Sequence, residues 1–177
     1  MLPPFSVVIP MFNEAENIGP VVREILAVLP EDAVFEVIIV DDASTDATAE
    51  LGLALHDEDS RIRLLRHRNN AGQSAAIRNG AKWAMHDWVV TMDGDGQNDP
   101  ADIPKLFEAM SGRAETPPLG LVGGLRAKRQ DTLARRWVST SANAIRQAVL
   151  KDNCRDTGCS LKAIRRELLV DLPNFKG

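Results

Sequence analysis

The feature of this chain that most restricts its fold is an alternation of short apolar segments with amphipathic ones. We expect strands over four segments rich in β-branched and apolar residues: 5–10, 35–40, 61–65 and 88–92. Between them, apolar residues recur at helical spacing over residues 15–29, 46–56 and 72–86. Strands alternating with helices predict an α/β fold with a mainly parallel central sheet flanked by helices.

The second half of the chain is less regular. Pro100 is expected to open a helix over residues 101–110, and Ser44 or Thr45 to cap the helix over residues 46–56. Further elements are predicted as strands over residues 120–124 and 159–164 and a long amphipathic helix over residues 131–150. With 177 residues, the chain is expected to form a single domain.

Polar and acidic residues follow three of the predicted strands at the point where each ends. They are Asn13 and Glu14 after the first strand, Asp41 and Asp42 after the second, and Asp93 and Asp95 after the fourth. Ligands of parallel α/β sheets bind beyond the carboxyl ends of the strands. The sequence therefore predicts a ligand site at this edge of the sheet.

Asp93-Gly94-Asp95 is a candidate metal site. Residues two apart in extended backbone point the same way, so both carboxylates can approach one hard cation, with Gln97 as a further oxygen donor. Mg²⁺ or Mn²⁺ held by one or two carboxylates takes its remaining ligands from water and substrate phosphates. The frame of a calcium-binding loop is absent, and a solvated acidic turn is the competing interpretation.

The segment from Val40 to Asp46 contains a second candidate site, because a carboxylate at the end of a strand, Asp41 or Asp42, can accept a hydrogen bond from a ribose hydroxyl or a nucleobase N–H. The alternative role for this segment is helix capping by Ser44, Thr45 or Asp46, and the two roles are compatible. Neither a dinucleotide-binding G-x-G-x-x-G nor a phosphate-binding G-x-x-x-x-G-K-[ST] is present in the chain.

Charge is unevenly distributed along the chain. Residues 1–112 hold 8 Lys and Arg against 19 Asp and Glu, and residues 113–177 hold 13 against 6. An acidic half suits cations and a basic half suits anions, although a solvated surface would also account for the pattern. The basic half holds arginines within residues 123–129 and the pair Arg135-Arg136, which are candidates for binding a diphosphate, and Asp156 is a candidate for a positioned base or orienting acid.

No apolar stretch is long enough to span a bilayer, and no signal peptide is evident, which predicts a cytoplasmic protein. The two cysteines, Cys154 and Cys159, match neither a disulfide framework nor a zinc site.

Six ordered blocks resemble those of family 2 glycosyltransferases, specifically the polyprenyl-phosphate sugar transferases. They are VVIPMFNE, VDDASTD, NNAGQSAAIRNG, MDGDGQNDP, GLRAKRQD and RDTGCSLKAIRR, and the likeness runs from about residue 5 to 177. The resemblance implies a GT-A nucleotide-diphospho-sugar transferase fold. It also implies an inverting, metal-dependent transfer of one sugar from a UDP- or GDP-linked donor to a polyprenyl phosphate.

The resemblance assigns roles to individual positions. Pro10, Phe12 and Glu14 match the P-x-[YF]-N-E nucleotide-binding block, and Val40 and Asp42 match base and ribose contacts. Met92 falls in the substrate-binding block that leads into the metal motif D-x-D-x-Q, which is matched by Asp93, Asp95 and Gln97. Arg126 and Arg135 match arginines that receive the diphosphate and the acceptor phosphate, and Asp156 matches an acid near the acceptor.

Three departures from the family pattern stand out. Phe12 replaces a common tyrosine, and Gly94 replaces a frequent alanine with little expected consequence. The family's chain normally continues into a membrane-associated C-terminal portion, which we expect this single domain, residues 1–177, to lack.

The resemblance implies a protein peripheral to the cytoplasmic face of a membrane. We expect no nucleic-acid partner. The sequence does not decide whether the protein forms a homo-oligomer. The alternatives are a non-catalytic nucleotide-sugar-binding module, a family 2 transferase with a saccharide acceptor, and a nucleotidyltransferase. The last would want a basic glycine-rich loop after the first strand, which residues 11–14 do not supply.

Overall fold

The computed structural model describes residues 1–110, 120–124 and 159–171. The strands are β1 Phe5–Met11, β2 Phe35–Asp41, β3 Ile62–Arg66, β4 Trp88–Thr91, β5 Leu121–Gly123 and β6 Lys162–Arg165. The helices are α1 Ala15–Val28, α2 Thr48–Glu58, α3 Gln73–Trp83, α4 Ile103–Glu108 and α5 Arg166–Asp171, and a 3₁₀ turn at Pro100–Asp102 precedes α4.

These strands form one sheet in the order β3-β2-β1-β4-β6-β5. The first four in this order pair in parallel, while β6 runs antiparallel to both β4 and β5. The predicted mainly parallel α/β sheet is therefore confirmed. Because Met11 pairs with Asp41, β1 and β2 end level with each other at the carboxyl edge.

Helices cover both faces of the sheet. Alternate residues of β1 point to opposite sides, so Val7 and Ile9 pack with α1 and α4, whereas Val8 packs with α3 and α5. Both faces of β2 are buried along its whole length, as expected of a central parallel strand. Helix α3 approaches the sheet closely at Gly80, where a Cβ would lie 2.4 Å from Val8 Cγ1.

Several predicted boundaries shift in the structure. Helix α2 begins at Thr48 with Ala47 as its N-cap, so the prediction that Ser44 or Thr45 caps it is wrong, because both residues bond to Asn13 instead. Helix α3 ends at Trp83, and the helix expected over residues 101–110 is divided into the 3₁₀ turn and α4. The helix predicted over residues 131–150 lies outside the described residues.

Within the described ranges, no helix combines the length and apolar character needed to cross a bilayer.

At the opposite, amino-terminal edge of the sheet, a buried carboxylate connects several elements through hydrogen bonds. Glu36 Oε1 accepts hydrogen bonds from Ser6 Oγ and Met85 N, each 2.6 Å long, and Oε2 pairs with Arg63 Nη1 at 2.7 Å. Burial by itself would raise the pKa of Glu36, but the hydrogen bonds from Met85, Ser6 and Arg63 outweigh it and hold that pKa below its ordinary value. The ionised carboxylate thereby orders the end of α3 and the connection to β4.

We expect Glu36→Gln to lower the free energy of unfolding near neutral pH by about 1–3 kcal/mol, because the ion pair with Arg63 is lost. A depressed folded-state pKa gives stability that is present above the unfolded pKa and disappears as the pH falls through the folded pKa. The difference between wild type and E36Q should therefore narrow as the pH drops below the ordinary glutamate range. Chemical denaturation at a series of pH values measures this difference, and a difference that does not change with pH would contradict the assignment.

Candidate functional site

A cleft of about 370 Å³ opens at the carboxyl edge of β1, β2 and β4. Its lining contains six of the residues predicted from the sequence: Pro10, Phe12, Glu14, Asp42, Asp93 and Asp95. The remaining lining residues are Met11, Asn70, Gly72, Gln73 and Gly94. The acids that follow three separate strands therefore meet in one cleft, as the strand order requires.

The turn after β1 is bonded to the loop after β2. Asn13 has the left-handed φ of 56° that its short polar side chain tolerates. Its backbone N–H donates to Ser44 Oγ at 2.9 Å, and its Oδ1 accepts from Thr45 N at 2.8 Å. These cross-loop bonds fix the backbone directly after Phe12, and Phe12 itself stays about half exposed (47%) at the cleft.

The start of α1 is capped by the same neighbouring loop rather than by its own side chains. Thr48 Oγ1 accepts from Glu14 N at 2.9 Å, and Asp46 Oδ2 accepts from Ala15 N at 3.1 Å. The hydrogen bond from the Thr48 hydroxyl is the main reason that the pKa of Asp46 lies below its ordinary value. Glu14 in turn accepts a hydrogen bond from Asn17 Nδ2 at 2.6 Å, which orients its carboxylate on the cleft wall.

The two consecutive acids at the end of β2 have different surroundings. Asp41 is fully buried away from the cleft, where Oδ1 accepts from Ser44 N at 3.0 Å. Its Oδ2 lies 3.2 Å from Arg66 Nε, an ion pair without hydrogen-bond geometry. Ala43 then adopts a left-handed φ of 64°, which turns the chain directly after Asp42. Asp41 thus supports the turn, and Asp42 lines the cleft.

The Asp42 carboxylate is the most heavily bonded group of the cleft. Its Oδ1 accepts from Ala71 N at 2.9 Å and from the His67 ring at 2.6 Å, and its Oδ2 accepts from Gly72 N at 2.8 Å. Burial would raise the pKa of Asp42, but the hydrogen bonds from Ala71, His67 and Gly72 outweigh it and lower that pKa. Asp42 is therefore an ionised acceptor at neutral pH.

The loop after β4 holds Asp93 and Asp95 in a defined turn. Asp93 N donates to Asn98 Oδ1, and Gln97 N donates to Asp95 Oδ1, both at 3.0 Å. Gln73 Nε2, from the first residue of α3, donates to Asp93 Oδ1 at 2.6 Å. Asp93 is thereby connected to the same loop that binds Asp42.

Asp93 and Asp95 suit a hard divalent cation that takes its remaining ligands from a substrate and water. Two carboxylates, from Asp93 and Asp95, border the cleft, and the described residues contain no cluster of three or more His, Cys, Asp or Glu with metal-site geometry. A pair of carboxylates with phosphate and water oxygens is the usual environment of Mg²⁺ or Mn²⁺ at phosphate-transfer sites. The donor set therefore fits Mg²⁺ or Mn²⁺ bound together with a diphosphate.

The structure does not bring every predicted site residue to the cleft. Val40 and Met92 are buried in the hydrophobic core on opposite faces of the sheet, Val40 on the face of Val8 and Met92 on that of Val7 and Ile9, so their side chains stabilise the sheet. Gln97 is exposed beside the turn and is not part of the cleft lining. Arg126, Arg135 and Asp156 lie outside the described residues.

Sequence reasoning missed the polar residues that order the loops. Asn70, Gly72 and Gln73 line the cleft, although the NNAGQSAAIRNG block was given no individual roles. Ser160 Oγ donates to Asn98 Oδ1 at 2.7 Å and so connects the loop after β4 with the segment leading into β6. The several Asn and Gln residues of the NNAGQSAAIRNG block were the sequence feature that could have indicated hydrogen bonding. Their partners could not be predicted, because they come from distant parts of the chain.

Gly94 lies in close contact with the end of the Met11 side chain. A Cβ at this position would lie 2.2 Å from Met11 Sδ and 3.2 Å from Pro10 O, and Met11 is itself buried. An alanine methyl group at this position would have to displace the end of the Met11 side chain, so the expectation that Gly94 in place of alanine has little consequence can be tested by stability measurements.

Gly94→Ala should destabilise the protein by about 1–3 kcal/mol through overpacking. Met11→Val removes the sulfur and terminal methyl that would clash, so the penalty of Gly94→Ala should fall by at least about 1 kcal/mol in that background. Urea denaturation of both single variants and the double variant measures this coupling. Strict additivity of the two changes would contradict the packing argument.

The glycosyl transferase family 2 model matches residues 6–172 of the chain. Undecaprenyl-phosphate 4-deoxy-4-formamido-L-arabinose transferase of Pseudomonas aeruginosa (strain PAO1) is 37% identical over 166 residues, which is 93% of this chain and 48% of that protein. The protein of the same description from Pectobacterium atrosepticum is 37% identical over 93% of this chain and 49% of its own length. The chain thus spans about half the length of these relatives.

Solved structures agree with the family match. The mannosyltransferase PcManGT from Pyrobaculum calidifontis, in complex with GDP-Man and Mn²⁺, superposes with a TM-score of 0.70 at 27% identity, over 99% of this chain and 48% of that one. Glucosyl-3-phosphoglycerate synthase from Mycobacterium tuberculosis, in complex with Mn²⁺, UDP and glucosyl-3-phosphoglycerate, gives a TM-score of 0.67 at 25% identity, over 97% of this chain and 60% of that one. This chain belongs to glycosyl transferase family 2 and has the GT-A fold.

Proposed function

We propose that this chain is the catalytic domain of an inverting transferase that moves one sugar from a UDP- or GDP-linked donor to a polyprenyl phosphate. The observation that carries the proposal is the meeting of Asp42, Asp93 and Asp95 in one cleft beside the exposed ring of Phe12. The names of the relatives support a polyprenyl-phosphate acceptor.

The donor nucleotide binds at the end of the cleft formed by β1 and β2. Phe12 offers an aromatic face on which a base can stack, beside Pro10 at the end of β1. Asp42 is ionised and accepts a hydrogen bond from the base or the ribose. Val40 lies beneath this region in the core, so it contributes through its backbone position.

The diphosphate extends toward the loop after β4, where Asp93 and Asp95 of the cleft lining would hold Mg²⁺ or Mn²⁺. When bound, the cation supplies positive charge that neutralises the leaving diphosphate. Gln73 donates to Asp93 Oδ1 and so orients that carboxylate. We expect Gln97 to add an outer contact to the same centre.

The transfer step exchanges one bond at the anomeric carbon for another. An oxygen of the lipid phosphate, already anionic near neutral pH, forms the new carbon–oxygen bond, and the bond to the diphosphate breaks with its electron pair. The stereochemistry inverts because the oxygen attacks opposite the leaving group. Arg126 and Arg135 are assigned to the phosphate groups of the leaving diphosphate and the acceptor, and Asp156 to the acceptor side.

A polyprenyl phosphate is a membrane lipid, so we propose that the protein acts at the cytoplasmic face of a membrane to which it binds peripherally. Its partners are then the nucleotide-sugar, the lipid phosphate and the membrane surface, with a homo-oligomer open. Sugar transfer from UDP- and GDP-sugars to a short polyprenyl phosphate, assayed with the natural full-length protein, tests this function. Transfer only to saccharides, or tight donor binding without transfer, would contradict it.

UDP or GDP together with Mn²⁺ should raise the melting temperature by about 5–10 °C at saturating concentration, and neither should do so in excess chelator. Asp95→Asn should remove most of this effect, because an amide is a poorer ligand than a carboxylate for a hard cation, although its oxygen still accepts from Gln97 N. Thermal-shift measurements test both expectations.

Asp99→Asn is the matched control for that experiment. Asp99 lies in the same loop, but its side chain caps the 3₁₀ turn by accepting from Ala101 N at 2.9 Å and is not part of the cleft lining. Asparagine caps equally well, so the control should keep the wild-type response. Equal stabilisation by nucleotide with and without chelator would refute the shared-cation arrangement.

Arg126→Ala and Arg135→Ala should each lower kcat more than they raise the donor KM, because both arginines are assigned to phosphate groups that must be held in place in the transition state. Arg126→Lys should rescue only partly, because an ammonium lacks the planar fork of a guanidinium. Asp156→Ala should impair use of the lipid with donor binding nearly unchanged. Steady-state kinetics with both substrates varied separate these effects, and wild-type turnover with Arg126 and Asp156 both replaced would contradict the assignments.

A further inference from the structure

A hydrogen-bonded network of Asp42, His67 and Asn79 extends from the cleft into the protein. His67 Nδ1 lies 2.6 Å from Asp42 Oδ1, and His67 Nε2 lies 3.0 Å from Asn79 Nδ2. The side chains of Asp42 and His67 are only 5% and 10% exposed. His67 directly follows β3, Asn79 belongs to α3, and only Asp42 of the three lines the cleft.

The two outer partners determine the form of the His67 ring. Asp42 is an ionised carboxylate and accepts only, so Nδ1 must carry a hydrogen. The structure places the amide nitrogen of Asn79, which donates only, against Nε2, and in this orientation Nε2 offers its lone pair. The network is satisfied throughout when His67 is the neutral Nδ1–H tautomer.

This arrangement fixes how the Asp42 carboxylate presents itself to the cleft. Each carboxylate oxygen has two lone pairs. On Oδ1 both are used, by His67 and by Ala71 N, and on Oδ2 one is used, by Gly72 N. Counting the hydrogen bonds of the described residues, one acceptor position therefore remains for a ligand, and the carboxylate cannot rotate without breaking its bonds to Ala71 and Gly72.

We propose that His67, oriented by Asn79, is a positioning residue for donor binding. It saturates Oδ1 of Asp42 and so directs the one open lone pair of Oδ2 to the nucleotide. The inference rests on the proposed function, because it takes Asp42 as an acceptor for the donor nucleotide. It assigns to the donor site two residues that lie outside the cleft lining.

Two substitutions separate positioning from packing. His67→Phe keeps the ring volume and removes both nitrogens. His67→Asn removes the ring but places an amide N–H at about the same distance from Cα as Nδ1. If His67 positions Asp42, H67F should raise the Kd for nucleotide about tenfold or more, because the hydrogen bond from the ring to the charged Asp42 carboxylate is lost. H67N keeps a donor at that place, so its Kd should stay within about threefold of wild type.

The experiment is calorimetric titration of wild type and variants with UDP and with GDP in the presence of Mn²⁺, at a temperature where every variant is folded. Asn79→Leu should change the Kd in the same direction as H67F. Ser6→Ala is the control for general destabilisation, because it breaks a buried hydrogen bond to Glu36 at the opposite edge of the sheet. Its nucleotide Kd should equal that of wild type.

Each result decides between the two roles. Weak nucleotide binding by H67F together with near-normal binding by H67N supports the positioning role. Unchanged binding by H67F, or a loss in H67N as large as that in H67F, overturns it while leaving the proposed function intact. Absence of UDP and GDP binding by wild type overturns the proposed function and this inference together.

The tautomer gives a test that needs no ligand. Long-range ¹H–¹⁵N spectra of wild type at a pH of about 8, above the ordinary imidazole pKa, should show the Nδ1–H form for His67. The signal is assigned by its loss in H67F, since the chain has three histidines. An Nε2–H tautomer would overturn the proposed network.

Discussion

The parallel pairing of β1 with both β2 and β4 is the constraint on which the site depends. Phe5 lies level with Phe35 on one side and with Trp88 on the other, so all three strands run in the same direction from a common edge. The pairing continues past the strands, since Asp42 N donates to Met11 O and Met92 N donates to Val8 O. The loops that follow these strands therefore lie around the same cleft, although a single residue such as Met92 can still point into the core.

Polar contacts between loops convert this common edge into a defined site. The turn after β1 and the loop after β2 exchange hydrogen bonds through Asn13. The loop before α3 donates to Asp42 through Gly72 N and to Asp93 through the Gln73 side chain. The proposed nucleotide and cation positions thus share one connecting loop, which gives a structural reason for their binding to be coupled.

The strand pattern and the acids after each strand were predictable because they depend on local periodicity and on a general rule for parallel sheets. The family resemblance indicated that Asp42 rather than Asp41 lines the site. The sequence pattern alone could not, because the difference depends on the left-handed turn at Ala43. The helix caps were mispredicted for a similar reason: Ser44 and Thr45 bond to Asn13, more than thirty residues away. Packing of Met11 over Gly94 is equally invisible in a sequence, since it joins loops from different strands.

The central claim is that Asp93 and Asp95 join a divalent cation to the diphosphate of a nucleotide in this cleft. Crystals grown with UDP or GDP and Mn²⁺, with diffraction data collected at the manganese absorption edge, test it most directly. The account predicts an anomalous peak within coordination distance, about 2.0–2.2 Å, of a carboxylate oxygen of Asp93 or Asp95 and of the diphosphate. Nucleotide bound in the cleft with no manganese between it and these carboxylates, or manganese bound elsewhere, would contradict it.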